Sequence, residues 1–162
     1  MKHSNQLESC INESLNTTAK ILKDVGIICP IRVKVKNLQK QGGNKARNWL
    51  AQYRSMTHIT SVGTVWVNEN FVDLVENKEG CRDDWVVIEH LADTFLHEVG
   101  HMIAEVLSLF DYKSYMKMLD KFDDEENFAE MFISYCKEGR YSEMYKQFLK
   151  KFKKFENSAC NG

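Results

Sequence analysis

The chain has 162 residues, 43% of them hydrophobic and 28% charged, a composition that fits one globular domain with enough apolar side chains for a core. Its formal net charge of −1 and pI near 6.5 supply no basic field for nucleic acid, so no nucleic-acid partner is expected. No apolar run is long enough to cross a bilayer, and Met1 to Gln6 lack an apolar signal core, so no membrane association is expected. Cys10, Cys29, Cys81, Cys136 and Cys160 are scattered, odd in number and without a CxxC pair. That pattern favours reduced thiols, and with them a cytoplasmic location or export as an effector without a cleaved signal.

From Asn5 to Val25, Leu7, Ile11, Leu15, Thr18, Leu22 and Val25 recur at helical spacing, and Gly26 follows as a stop signal. Ile31 to Lys36 alternates apolar and polar as a half-buried strand does. Gly42-Gly43-Asn44 marks a loop, and Trp49 to Tyr53 reads equally as helix or strand. Ile59 to Val67 is β-branched and aromatic, giving two short strands or one kinked at Gly63. The polar run Glu76 to Asp84 reads as a loop. Asp83 or Asp84 then caps a long helix reaching Leu109, with Ile88, Leu91, Phe95, Val99, Met102, Ile103, Val106 and Leu107 as its apolar stripe. Three further helices are expected: Lys113 to Phe122, one capped by Asp123 or Asp124 and ending at Glu138 before Gly139, and one from Ser142. Lys150, Lys151, Lys153 and Lys154 form the solvated edge of that last helix. Strands grouped ahead of a helical half make the fold class α+β, in a single domain over 1–162.

The long helix carries His97-Glu98-Val99-Gly100-His101. Histidines at i and i+4 share one helical face, so both imidazoles reach one ion, and Glu98 lies where it can take a proton from water on that ion. Gly100 costs about 1 kcal/mol in a helix interior relative to alanine, which points to close packing against another element. A catalytic zinc site needs a third protein ligand, and candidates for it lie in the acidic run Asp123-Asp124-Glu125-Glu126-Asn127-Phe128-Ala129-Glu130. Glu126 and Glu130 sit one turn apart, so one can bind the metal while the other orients a histidine, and spacing leaves both open. Asp93 and Glu105, each a turn beyond a histidine, are secondary candidates, whereas His90 lies about 10 Å along the axis from His97. His3 and His58 carry no spacing signal. Trp66 and Trp85 flank the expected cleft.

The pair His97-Glu98-x-x-His101 with Glu126-Asn127-Phe128-Ala129-Glu130-Met131-Phe132 resembles the gluzincin peptidases, in particular the anthrax lethal factor and Pro-Pro endopeptidase family with its E-x-F-A-E-x-F helix, and similar zincins of phages and mobile elements. The resemblance covers about His97 to Phe132. It implies a minimal zincin fold and a zinc metallopeptidase in which Glu126, 25 residues after His101, is the third ligand and Glu130 supports a histidine. It also implies a peptide or protein substrate running along Thr64-Val65-Trp66-Val67-Asn68. That family has an oxyanion-stabilising tyrosine seven residues before the ligand glutamate. This chain has Leu119 there, and Tyr115, with Tyr112 second, is the substitute expected as catalytic donor. The competing expectations are a non-catalytic zincin-like binding module with a structural metal, and a dedicated regulatory or effector protease with one protein substrate.

Overall fold

The structure, a computed structural model, describes residues 4–28, 31–38, 51–54 and 63–161. The readings for Gly42 to Asn44, Trp49, Leu50, Ile59 to Val62, His3, His58 and Cys29 lie outside the described residues. In chain order the elements are α1 (Ser4–Asp24), β1 (Ile31–Lys36), β2 (Ala51–Arg54), β3 (Gly63–Asn68), α2 (Phe71–Glu79), α3 (Asp84–Phe110), α4 (Tyr112–Phe122), α5 (Glu125–Glu138) and α6 (Ser142–Asn161). The class is α+β, with six helices and one small sheet among the described residues. Among them, too, no helix is long and apolar enough to cross a membrane.

The sheet order is β1-β3-β2, β1 running parallel to β3 and β2 antiparallel to it. Thr64 to Val67 therefore pairs on both sides, with Arg32 to Val35 and with Ala51 to Arg54. The strand along which a substrate is expected, Thr64 to Asn68, is thus the central one. A central strand has already committed its main-chain donors and acceptors, and an added peptide needs an edge. The alternation of β1 also overstates its burial: Ile31 is buried, but Val35 is 43% exposed on this edge strand.

The Glu76 to Asp84 run is not a loop throughout. Helix α2 continues to Glu79 and stops at Gly80, whose φ of +72° is the left-handed closure that glycine supplies at least cost. Phe71, Val72 and Val75 face the core, while the Glu76 carboxylate accepts a hydrogen bond from Arg82 Nε at 2.7 Å. The polar run was one solvated helix face plus a short turn.

Helix α3 is the spine, touching every other helix and strands β2 and β3. Val87, Ala92, Leu96, Gly100 and Ala104 are buried along with most of the expected stripe, so apolar contact wraps much of its circumference. The seam left partly open runs through His90, Asp93, His97, His101, Glu105 and Ser108 at three- and four-residue steps. On one side of the spine α1 packs, tied by the Ser14 hydroxyl donating to the Ile88 carbonyl at 3.1 Å. On another lie α5 and α6, with an aromatic cluster of Phe122, Phe128 and Tyr145 whose ring centroids are 4.9–5.1 Å apart. Caps follow the acidic signals: Asp83 accepts from Trp85 N–H, Asp111 from Ser114 N–H and Asp124 from Asn127 N–H. Cys10, Cys81 and Cys136 are free thiols.

Gly100 is where α3 meets α5. A Cβ built on it would stand 2.8 Å from Ala129 Cα and 3.2 Å from Ala129 Cβ. The obstruction is backbone, so no side-chain rotation relieves it. Gly100→Ala gains about 1 kcal/mol in helix propensity but must separate the two helices, an overpacking cost of about 1–3 kcal/mol. Gly100→Ala is expected to lower the urea midpoint at an unchanged m-value; a raised midpoint would show that the helices part at no cost.

Candidate metal centre

Ala129 lies between Glu126 and Glu130 in sequence, so the close approach at Gly100 delivers both carboxylates to the open seam of α3. Glu126 Oε1 is 2.9 Å from His97 Nε2, its Oε2 is 2.9 Å from His101 Nε2, and the two Nε2 atoms are 3.2 Å apart. Glu130 Oε2 takes the other side of the first ring, 3.0 Å from His97 Nδ1, and Glu125 Oε1 lies 3.0 Å from His101 Nδ1.

Each imidazole therefore meets a carboxylate at both of its nitrogens. An ionised carboxylate only accepts, so a neutral ring that donates Nδ1–H to Glu130 or Glu125 turns its Nε2 lone pair on Glu126, an arrangement that a cation between them stabilises, whereas a doubly protonated ring donates to Glu126 as well. His97, His101 and Glu126 are the one group of three or more histidine, cysteine or acidic residues among the described residues whose ligand atoms lie within 4.8 Å of one another. The group can hold a metal ion. The outer carboxylates on each Nδ1 are the usual companions of metal-bound histidine.

Glu98 is 7% exposed. Burial works to lower the pKa of His101, but the hydrogen bond to Glu125 and the charges of Glu98 and Glu126 outweigh it and raise it. The carboxyl of Glu125 is held below its ordinary value, first by the His101 bond and, against the opposing effect of burial, by the Tyr115 hydroxyl as well.

The remaining candidates fall elsewhere. Tyr115 does not face the Nε2 side: its hydroxyl donates to Glu125 Oε2 at 3.1 Å, behind His101. That bond aims the phenol at an outer carboxylate, on the other side of the His101 ring from the oxyanion position expected for it. Tyr112 is 63% exposed and packs on the Tyr115 ring. His90 pairs with Glu79 at 3.1 Å, and Asp93 with Lys137 at 2.8 Å. Glu105 is not a member of the metal-binding group. Trp85 is 68% exposed and twelve residues before His97, about 18 Å along the axis, so it does not flank the site. Trp66 lies under the Lys36 ammonium, 5.7 Å from the ring centroid. Glu125 was noticed only as part of an acidic run. Its signal is its place as the first residue of α5, directly before the metal-facing Glu126.

Comparison with protein-family models, curated proteins and solved structures finds no match for this chain.

Glu126 and Glu130 differ in what they touch, and their loss should differ accordingly. Glu126→Ala removes a donor facing both histidines and is expected to lose metal to a mild chelator. Glu130→Ala leaves all three donors and loosens His97, an expected loss of about 10–100-fold in affinity. Competitive zinc titration of both folded variants measures this; the reverse order would assign the metal to Glu130.

Proposed function

We propose that the protein is a zinc-dependent endopeptidase of gluzincin type, built on a minimal zincin fold. The observation that carries this reading is the convergence of His97 Nε2, His101 Nε2 and Glu126, with the buried Glu98 next to His97 in the chain and near enough for its charge to act on His101. Two imidazoles and a carboxylate are a donor set that zinc favours in catalytic sites. The separations of 2.9–3.2 Å are close to the ligand–ligand edge of about 3.3–3.4 Å around a tetrahedral zinc with bonds of about 2.0–2.1 Å. Three protein donors leave a position for water, whereas a structural zinc takes four. That, together with a base that a structural site does not need, favours catalysis over a passive binding module.

Bound zinc supplies Lewis acidity, lowering the pKa of a water to about 7 and polarising the scissile carbonyl. The chain supplies the rest. Glu130 and Glu125 hold the two imidazoles in the Nδ1–H tautomer, which keeps each Nε2 available. The Glu98 carboxylate takes the proton from water and returns it to the leaving amine nitrogen. An extended peptide needs a free strand edge, and the far edge of β2 is unpaired among the described residues, so β2 is the strand on which we place the substrate.

The test is hydrolysis itself. Zinc-loaded protein mixed with a proteome-derived peptide library should create a reproducible set of new N-termini, read by mass spectrometry. Glu98→Gln should keep the zinc, since Glu98 is outside the donor group, and should create none of them. Cleavage by Glu98→Gln at the parent rate, or none by the metal-loaded parent, would contradict the assignment.

A further inference from the structure

The two histidines are not held alike. Glu130, on His97, is 68% exposed, whereas Glu125, on His101, is 36% exposed and takes a second hydrogen bond, from Tyr115. The bonds to Glu125 use separate oxygens: Oε1 receives His101 Nδ1–H and Oε2 receives the tyrosine hydroxyl. A carboxylate held at both oxygens cannot rotate about its terminal torsion without losing one of them. We propose that Tyr115 is a positioning residue of the metal centre, acting through Glu125 to keep His101 Nε2 aimed at the ion. This rests on the metal-site reading above, and it gives Tyr115 a role on the far side of the imidazole from the reacting carbonyl.

The chain of contacts joins three helices: Tyr115 on α4, Glu125 at the start of α5 and His101 on α3. Helix α4 is thereby coupled to the metal site without contributing a ligand. The turn before α5 passes through Asp123 at φ +74°, a conformation costly for a residue other than glycine. Tyr112 offers an internal control, since its ring packs against Tyr115 but its hydroxyl is not part of the chain to Glu125.

The experiment is a double-mutant cycle read as zinc affinity, by competitive titration of wild type, Tyr115→Phe, Glu125→Ala and the double variant, with Tyr112→Phe as control. Tyr115→Phe is expected to weaken zinc binding about 3–10-fold, less than the roughly 10–100-fold typical of losing an outer carboxylate, as expected of Glu125→Ala. The double variant should match Glu125→Ala within about twofold, because Tyr115 has nothing to act on once the carboxylate is gone. Tyr112→Phe should bind as wild type does. A second readout needs no variant. In nitrogen-15 histidine spectra of the zinc-loaded wild type, the His101 Nδ1–H should exchange slowly with water, and in Tyr115→Phe at equal zinc occupancy it should exchange faster. Multiplying losses in the cycle, a silent Tyr115→Phe, or a fast-exchanging Nδ1–H in the wild type would overturn the assignment. A wild type that binds no zinc would instead overturn the metal-site reading on which it rests.

Discussion

The contact on which the centre depends is that of Gly100 with Ala129. Two helices carry every donor atom, and their separation decides whether Glu126 reaches the histidines at all. A β-carbon at position 100 would meet α5 backbone at 2.8 Å, so the absence of a side chain there is a condition of assembly. The cost of about 1 kcal/mol for glycine in a helix interior is small beside what it permits. Packing around the contact keeps it in place: Phe128 and Phe132 are fully buried, and the Tyr145 hydroxyl donates to the Phe128 carbonyl at 2.5 Å, next to Ala129 in the chain.

From that geometry the electrostatics follow. When Glu125 and Glu130 take the Nδ1 protons, the neutral rings turn their Nε2 lone pairs on the Glu126 carboxylate. Lone pairs and a carboxylate at hydrogen-bond distance favour a cation between them. Glu98 is buried, and its charge is among the causes that raise the pKa of His101.

The facing pairs His97 with His101 and Glu126 with Glu130 could be read from residue spacing, because helical periodicity is short-range, but the choice between the two glutamates rested on the family resemblance. The need for close packing at Gly100 was also visible, but its partner was not, since the sequence does not say which helix crosses where. The same limit hid the roles of Glu125 and Tyr115: both depend on the angle between α3, α4 and α5, and spacing along one chain carries no such angle. Sheet order failed for a related reason. Strand pairing is long-range, and nothing in Thr64 to Asn68 shows that strands will add on both sides of it. Helix α2 was missed because charged residues on a solvated face resemble a loop when few apolar positions repeat.

The central claim is that His97, His101 and Glu126 hold one metal ion. Elemental analysis of the purified protein, wild type against His97→Ala, measures it without knowledge of any substrate. About one equivalent of zinc per chain is expected in the wild type after gel filtration in metal-free buffer, and a small fraction of that in His97→Ala, both folded by circular dichroism. A folded wild type that takes up no metal, or a His97→Ala variant that retains it in full, would contradict the claim.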